Sequence, residues 1–134
     1  MIYLYCFQSW CPGCHSHGFP TLREVREHFL DAGADDVAFV AVQTVFEGHR
    51  TNTATKAKST VAGFELDIPT GHDPGAGGRR PSLMRGYRTG GTPWTILIDK
   101  RGVVRFNGFR IRPDKAIAAI EKLRAEPDQA PARP

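Results

Sequence analysis

Ile2-Tyr3-Leu4-Tyr5-Cys6-Phe7-Gln8 runs straight into Ser9-Trp10-Cys11-Pro12-Gly13-Cys14. The first stretch is β-branched, aromatic or apolar up to Gln8, which predicts a strand buried on both faces. Pro12 breaks the run and suits the first position of a helix, where a missing N–H costs nothing. The two cysteines therefore sit at a strand-to-helix junction. The thiolate is the nucleophile in disulfide exchange. A helix N-terminus presents unpaired N–H groups and a partial positive charge, so the amides of Gly13 and Cys14 can point at the Cys11 sulfur and favour its thiolate. Cys14, one turn inside, is expected to be more buried and less acidic. That division makes Cys11 the candidate attacking thiol and Cys14 the candidate resolving thiol. Trp10 either covers the dithiol as an apolar plate or belongs to the core.

Outward from this junction, Thr21 to Ala32 reads as a helix with Leu22, Val25, Phe29 and Leu30 on one face. Thr21 with Glu24 forms a capping-box pattern and Gly33 supplies a stop. Pro20 ends a first short helix or kinks a continuous one. Val37 to Val42 is a second, fully apolar strand. Residues 53–64 are weakly helical, Leu66 to Pro69 is a candidate edge strand, and 72–81 is Gly/Pro-rich loop. Ser82 to Tyr87 reads as a helical turn. Trp94 to Ile98 and Val103 to Asn107 form a hairpin across Asp99-Lys100-Arg101-Gly102. Pro113 opens a last helix with Ile117, Ile120 and Leu123 on its buried face. The expected architecture is α/β: a central mixed four-stranded sheet in the order β-α-β-α-β-β-α, with helices on both faces. Residues 1–125 make one domain, 44–90 form a long connecting segment, and 126–134 read as a disordered tail.

A chain of 134 residues with 40% hydrophobic and 24% charged side chains can bury a real core, which excludes wholesale disorder. Three cysteines are too few for a secreted disulfide scaffold. No apolar run reaches the roughly 18–20 residues of a membrane span. The apolar start lacks a basic leader, so no signal peptide is expected and the cytoplasm is the default compartment; the periplasm applies if a leader precedes this sequence. Nine basic residues and one acid lie between Arg79 and Arg112 within a net charge of +4. Such a block can attract anionic partners, but no nucleic-acid motif accompanies it, and a solvated face explains it.

Gly91-Thr92-Pro93, just before a strand, is a candidate cis peptide whose Thr92 backbone could dock an extended substrate. Together, Trp10-Cys11-Pro12-Gly13-Cys14, Gly91-Thr92-Pro93 and Ile96-Leu97-Ile98-Asp99-Lys100-Arg101-Gly102-Val103-Val104 resemble the thioredoxin-like superfamily, and most closely its TlpA-like and redoxin-type thiol:disulfide oxidoreductases. The resemblance spans residues 1–125. It implies a redox-active disulfide between nucleophilic Cys11 and resolving Cys14, a cis-proline at Pro93, and substrate contacts from Trp10, Thr92 and Pro93. It also implies strand order 37–42, 2–8, 94–98, 103–107, no bound cofactor, and a part in cell redox homeostasis. Expected partners are protein or small-molecule disulfides and dithiols, plus a partner reductase or oxidase. In the cytosol the direction would be reduction. Departures are informative. Tyr5 stands where thioredoxins carry a buried acid, His17 stands where TlpA-like proteins place Glu and is a candidate for proton transfer, and Pro20 comes one residue later than usual.

Rival readings exist. Cys11-x-x-Cys14-His15 matches a c-type haem attachment pattern, though it follows a strand and Met84 is the only internal methionine. Cys11, Cys14, His15, His17 and Cys6 could be considered for zinc, but no second ligand pair accompanies them, and no metal is expected. A thioredoxin-fold binding module with a purely structural dithiol is a third option. A peroxidase reading is weaker, because Gln8-Ser9-Trp10-Cys11 lacks the Thr of the T-x-x-C signature. Cys6 reads as an inert buried thiol, and Gly75 to Arg80 as a flexible loop without the Lys-Ser/Thr of a phosphate loop.

Overall fold

In the computed structural model, residues 1–128 are described. Five strands form one sheet: β1 (Ile2–Phe7), β2 (Ala38–Thr44), β3 (Thr70–Asp73), β4 (Trp94–Ile98) and β5 (Val104–Gly108), in spatial order β3-β2-β1-β4-β5. β1 runs parallel to β2 and β2 to β3, while β4 is antiparallel to both β1 and β5. Four helices complete the domain: α1 (Phe19–Asp31), α2 (Ala54–Gly63), α3 (Ser82–Tyr87) and α4 (Pro113–Arg124).

The expected four-strand order is present, and a fifth strand extends it. That strand is Thr70–Asp73 rather than 66–69. Thr-Gly-His-Asp carries no strand-like alternation. It is recruited by pairing with the end of β2, from Ala41 opposite Thr70 to Thr44 opposite Asp73.

β1 is buried on both faces, as an apolar run without alternation requires. Tyr3, Tyr5 and Phe7 join Phe19, Leu22, Val25 and Phe29 of α1, Ala57 and Val61 of α2, and Ala116 and Ile120 of α4 in one core. Leu4 and Cys6 face the other way, packing with Ile96 and with Leu83 and Tyr87 of α3. Each aromatic buried here contributes roughly 1.5–3 kcal/mol of transfer free energy, so β1 is the spine of both layers. No helix among the described residues is long and apolar enough to cross a membrane.

Helix α1 departs from its expected start. A π-turn at Cys14–Gly18 joins it continuously to the helical turn opened by Pro12, so Thr21 is an interior helical residue, not a cap, and no side chain caps α1. Leu30 is 55% exposed, off the buried stripe. Gly33, at φ +70°, ends the helix as expected.

The proposed tail begins at Glu126. Glu126 and Asp128 are tied to the hairpin by ion pairs with Arg105 and Lys100, and residues 129–134 lie outside the described part.

Candidate functional site: a dithiol at the start of a helix

Parallel pairing of β1 with β2 and antiparallel pairing with β4 bring the end of β1 beside the start of β4, with Cys6 opposite Trp94. The Cys11 loop and the Thr92-Pro93 loop therefore meet at one edge of the sheet. The Cys14 main-chain N–H points at the Cys11 sulfur at 3.3 Å, and the Cys11 thiol faces the Thr92 carbonyl at 3.6 Å. Both thiols are free, with Cys11 8% and Cys14 0% exposed. Burial, reinforced by the adjoining Cys11, pushes the Cys14 thiol up to about 12. Cys6, buried in the opposite layer, is likewise raised by burial to about 12 and takes no part in the site.

Apart from His15, the loop between β1 and Cys11 is fixed by side chains to which the sequence reading gave no role at the site. Gln43 Oε1 accepts from the Ser9 N–H at 2.8 Å, and its Nε2 donates to the Thr53 carbonyl at 3.0 Å. Asn52 Oδ1 accepts from the Trp10 N–H at 3.0 Å, and its Nδ2 donates to the Glu47 carbonyl at 3.1 Å. Gln8 Oε1 accepts from the N–H groups of Phe46 and Glu47. His15 Nε2 lies 2.6 Å from the Ser9 carbonyl, which can only accept, so that nitrogen carries the proton. The connecting segment thus clamps the dithiol loop. Gln8 and Gln43 at the ends of apolar strands were the readable hint: a buried amide there needs partners.

The π-turn has a spacing cause. Phe19 N–H bonds back five residues to the Cys14 carbonyl, which also accepts from the Tyr5 hydroxyl at 3.3 Å. One extra residue between Cys11 and Pro20 is absorbed in that wider turn. Tyr5 lies against Gly18 so closely that a Cβ there would come within 2.6 Å of the phenol ring carbon. Burial raises the Tyr5 hydroxyl well above its ordinary range, so it remains a neutral phenol.

The Thr92–Pro93 peptide is cis. Pro93 abuts Gly13, whose added Cβ would meet the proline ring at 3.3 Å. Beside Pro93 opens a cleft of about 330 Å³ whose lining includes Tyr3, His17, Thr95 and the 109–113 segment. His17 is exposed there and makes no hydrogen bond to Cys14 among the described residues. Trp10 is 44% exposed, which removes the core-packing reading for it. The haem-attachment pattern fits poorly: the His15 ring is held by Ser9 and packs on Phe19 and Phe64, and Cys14 is fully enclosed. No group of three metal-ligating side chains is assembled among the described residues.

No family model and no curated protein matches the chain. Solved structures do. A thioredoxin-like superfamily protein is 36% identical with a TM-score of 0.84, over 94% of this chain and 80% of that one. A thiol-disulfide isomerase from Corynebacterium glutamicum is 30% identical with a TM-score of 0.82, over 94% and 81%. A secreted disulfide oxidoreductase from Mycobacterium tuberculosis shares the fold at 19% identity and a TM-score of 0.66, over 91% and 81%. A dithiol at a strand-to-helix junction, a proline loop facing it, and this similarity across most of both chains agree: the chain belongs to the thioredoxin-like superfamily, as a redoxin-type member.

Proposed function

We propose that the chain is a thiol:disulfide oxidoreductase in which Cys11 attacks and Cys14 resolves. Cys11 thiolate forms a bond to one sulfur of a partner disulfide, and the other partner sulfur leaves as a thiolate. Cys14, losing its proton, then attacks the Cys11 sulfur and releases the second partner thiol. Two electrons pass to the partner, and a Cys11–Cys14 disulfide remains. An external dithiol returns it to the starting state by the same exchange in reverse. Trp10, Thr92 and Pro93 bind the substrate segment, and His17, on the lining of the neighbouring cleft, is the candidate for proton transfer. The 44–90 segment contributes to partner choice. In a reducing compartment such as the cytosol the direction is reduction of partner disulfides.

One observation carries the reading: the Cys11 sulfur accepts from the Cys14 N–H at 3.3 Å and faces the Thr92 carbonyl at 3.6 Å, which puts a docking backbone directly beside the proposed attacking sulfur. Reduction of a fluorogenic peptide disulfide, with dithiothreitol as the terminal reductant, tests it. The wild-type chain should accelerate the reaction over dithiothreitol alone, and Cys11→Ser should not. Equal rates for the two would refute the proposal.

A further inference from the structure

The cleft beside Pro93 contains a cation that the dithiol chemistry does not use. Of the nine basic residues between Arg79 and Arg112, Lys100, Arg101, Arg105 and Arg112 are paired with carboxylates. Arg110 has no carboxylate partner among the described residues, yet it lines this cleft. Its guanidinium lies 5.5 Å from the centre of the Phe109 ring, and its Nη2 is 4.0 Å from where a Cβ on Gly13 would stand. Gly13 directly precedes Cys14 in the Cys11-Pro12-Gly13-Cys14 loop, so this charge lies beside the dithiol loop. Arg112, the other cation on the lining, is already bonded to Asp114 at 2.7 Å. Among the described residues, no acid lines the cleft. Phe109, 49% exposed, and Ile111 and Pro113 supply apolar wall. Tyr3 forms another part of that wall. Its hydroxyl lies toward the Thr95 side chain, yet no group among the described residues completes a hydrogen bond with it.

We propose that this cleft selects substrates by charge, taking an acidic side chain that flanks the reactive cysteine of an extended polypeptide, with Arg110 as the group that recognises its carboxylate. The proposal rests on the thiol:disulfide reading and names the substrate class for the same site. An unpaired guanidinium beside apolar wall suits a carboxylate on a short aliphatic stem, with the stem against Phe109 and Ile111. At about 330 Å³ the cleft is at the lower end of the range for whole small-molecule ligands. That size fits one side chain entering from a strand docked at Thr92 better than it fits a free thiol compound held entire.

The test uses three peptides that differ only in the residues on both sides of one cysteine: Glu, Gln or Lys. Each is presented as a mixed disulfide with the same chromogenic thiol, and kcat/KM is measured on the full chain. The expected order is Glu, then Gln, then Lys, with Glu over Gln by about fivefold, the scale of one charge-assisted contact in a partly exposed cleft. Arg110→Gln should flatten the order and Arg110→Glu should invert it, with thermal melts confirming that both variants fold. Equal turnover of the three peptides by the wild-type chain overturns the proposal while leaving the oxidoreductase reading intact. So does a Glu preference that survives Arg110→Gln. Absence of turnover for all three refutes both. Oxidised glutathione is run alongside: loss of its reduction in Arg110→Gln, with the peptide order unchanged, would assign the cleft to a small acidic disulfide and overturn the polypeptide assignment.

Discussion

The Thr92 carbonyl oxygen stands 3.6 Å from the Cys11 sulfur, although 81 residues separate them in the chain. Two strand pairings produce that proximity. β1 leads into Cys11, β4 follows Thr92 and Pro93, and their antiparallel register sets both loops at one end of the sheet. In the proposed mechanism, a peptide docked on the Thr92 backbone would bring its disulfide next to the Cys11 sulfur.

The pH dependence of the second step follows from Cys14. Burial holds its thiol up to about 12, so at neutral pH the resolving group is protonated. Because the pKa is raised, the reactive thiolate fraction grows about tenfold per pH unit until that value is approached. Single-turnover resolution of a preformed Cys11 mixed disulfide, followed by stopped flow, should therefore keep accelerating from pH 6 to pH 9. A plateau near pH 7 would contradict control of this step by the raised Cys14 thiol.

Asn52 should act on reactivity through Trp10. It is 1% exposed and joins the Trp10 N–H to the Glu47 carbonyl. Asn52→Ala strands a main-chain donor next to Cys11 and should lower stability by about 1–2 kcal/mol. It should also slow alkylation of Cys11 under native conditions, because the loop is no longer held. Asn52→Asp, which keeps the acceptor for Trp10, should restore most of the alkylation rate. A melt and a timed iodoacetamide reaction read the two effects separately.

Gly18→Ala places a methyl against the buried Tyr5 ring, which is hemmed in by Phe7 and Phe19. Overpacking of this kind costs about 1–3 kcal/mol. Urea denaturation should show that loss, and Tyr5→Phe in the same chain should return part of it.

Asp99 ties the β4–β5 hairpin. Its Oδ1 accepts from the Arg101 and Val103 N–H groups at 2.9 and 3.0 Å, and Oδ2 accepts from Arg105. Burial alone would raise its carboxyl, but these backbone and arginine donors outweigh that and lower it to about 2. A lowered folded-state pKa means stability that is present above the unfolded value near 4 and lost as pH falls toward 2. The wild-type chain should lose stability across that window, and Asp99→Ala, less stable at pH 7, should lose less within it.

Much of this was legible in residue type and spacing. An apolar run without alternation marked β1 as central, and Pro12 with two flanking cysteines marked the site. The late Pro20 pointed to irregular helix register, which the π-turn at Cys14–Gly18 realises. What stayed hidden depends on partners distant in sequence. Gln43 meets Ser9 from 34 residues away and Asn52 meets Trp10 from 42, so neither shows a local pattern. Strand Thr70–Asp73 is polar and owes its form to β2, not to its own composition. The Thr21–Glu24 capping pattern was misleading because the helix had already begun upstream.

The central claim, that Cys11 attacks and Cys14 releases, is tested most directly by covalent trapping. Cys14→Ser is mixed with a peptide disulfide under native conditions and analysed by intact mass spectrometry, with Cys11→Ser in parallel. The account predicts a stable one-peptide adduct mapped to Cys11 in the first variant and none in the second. An adduct on Cys14 in Cys11→Ser, or none on Cys11 in Cys14→Ser, would contradict it.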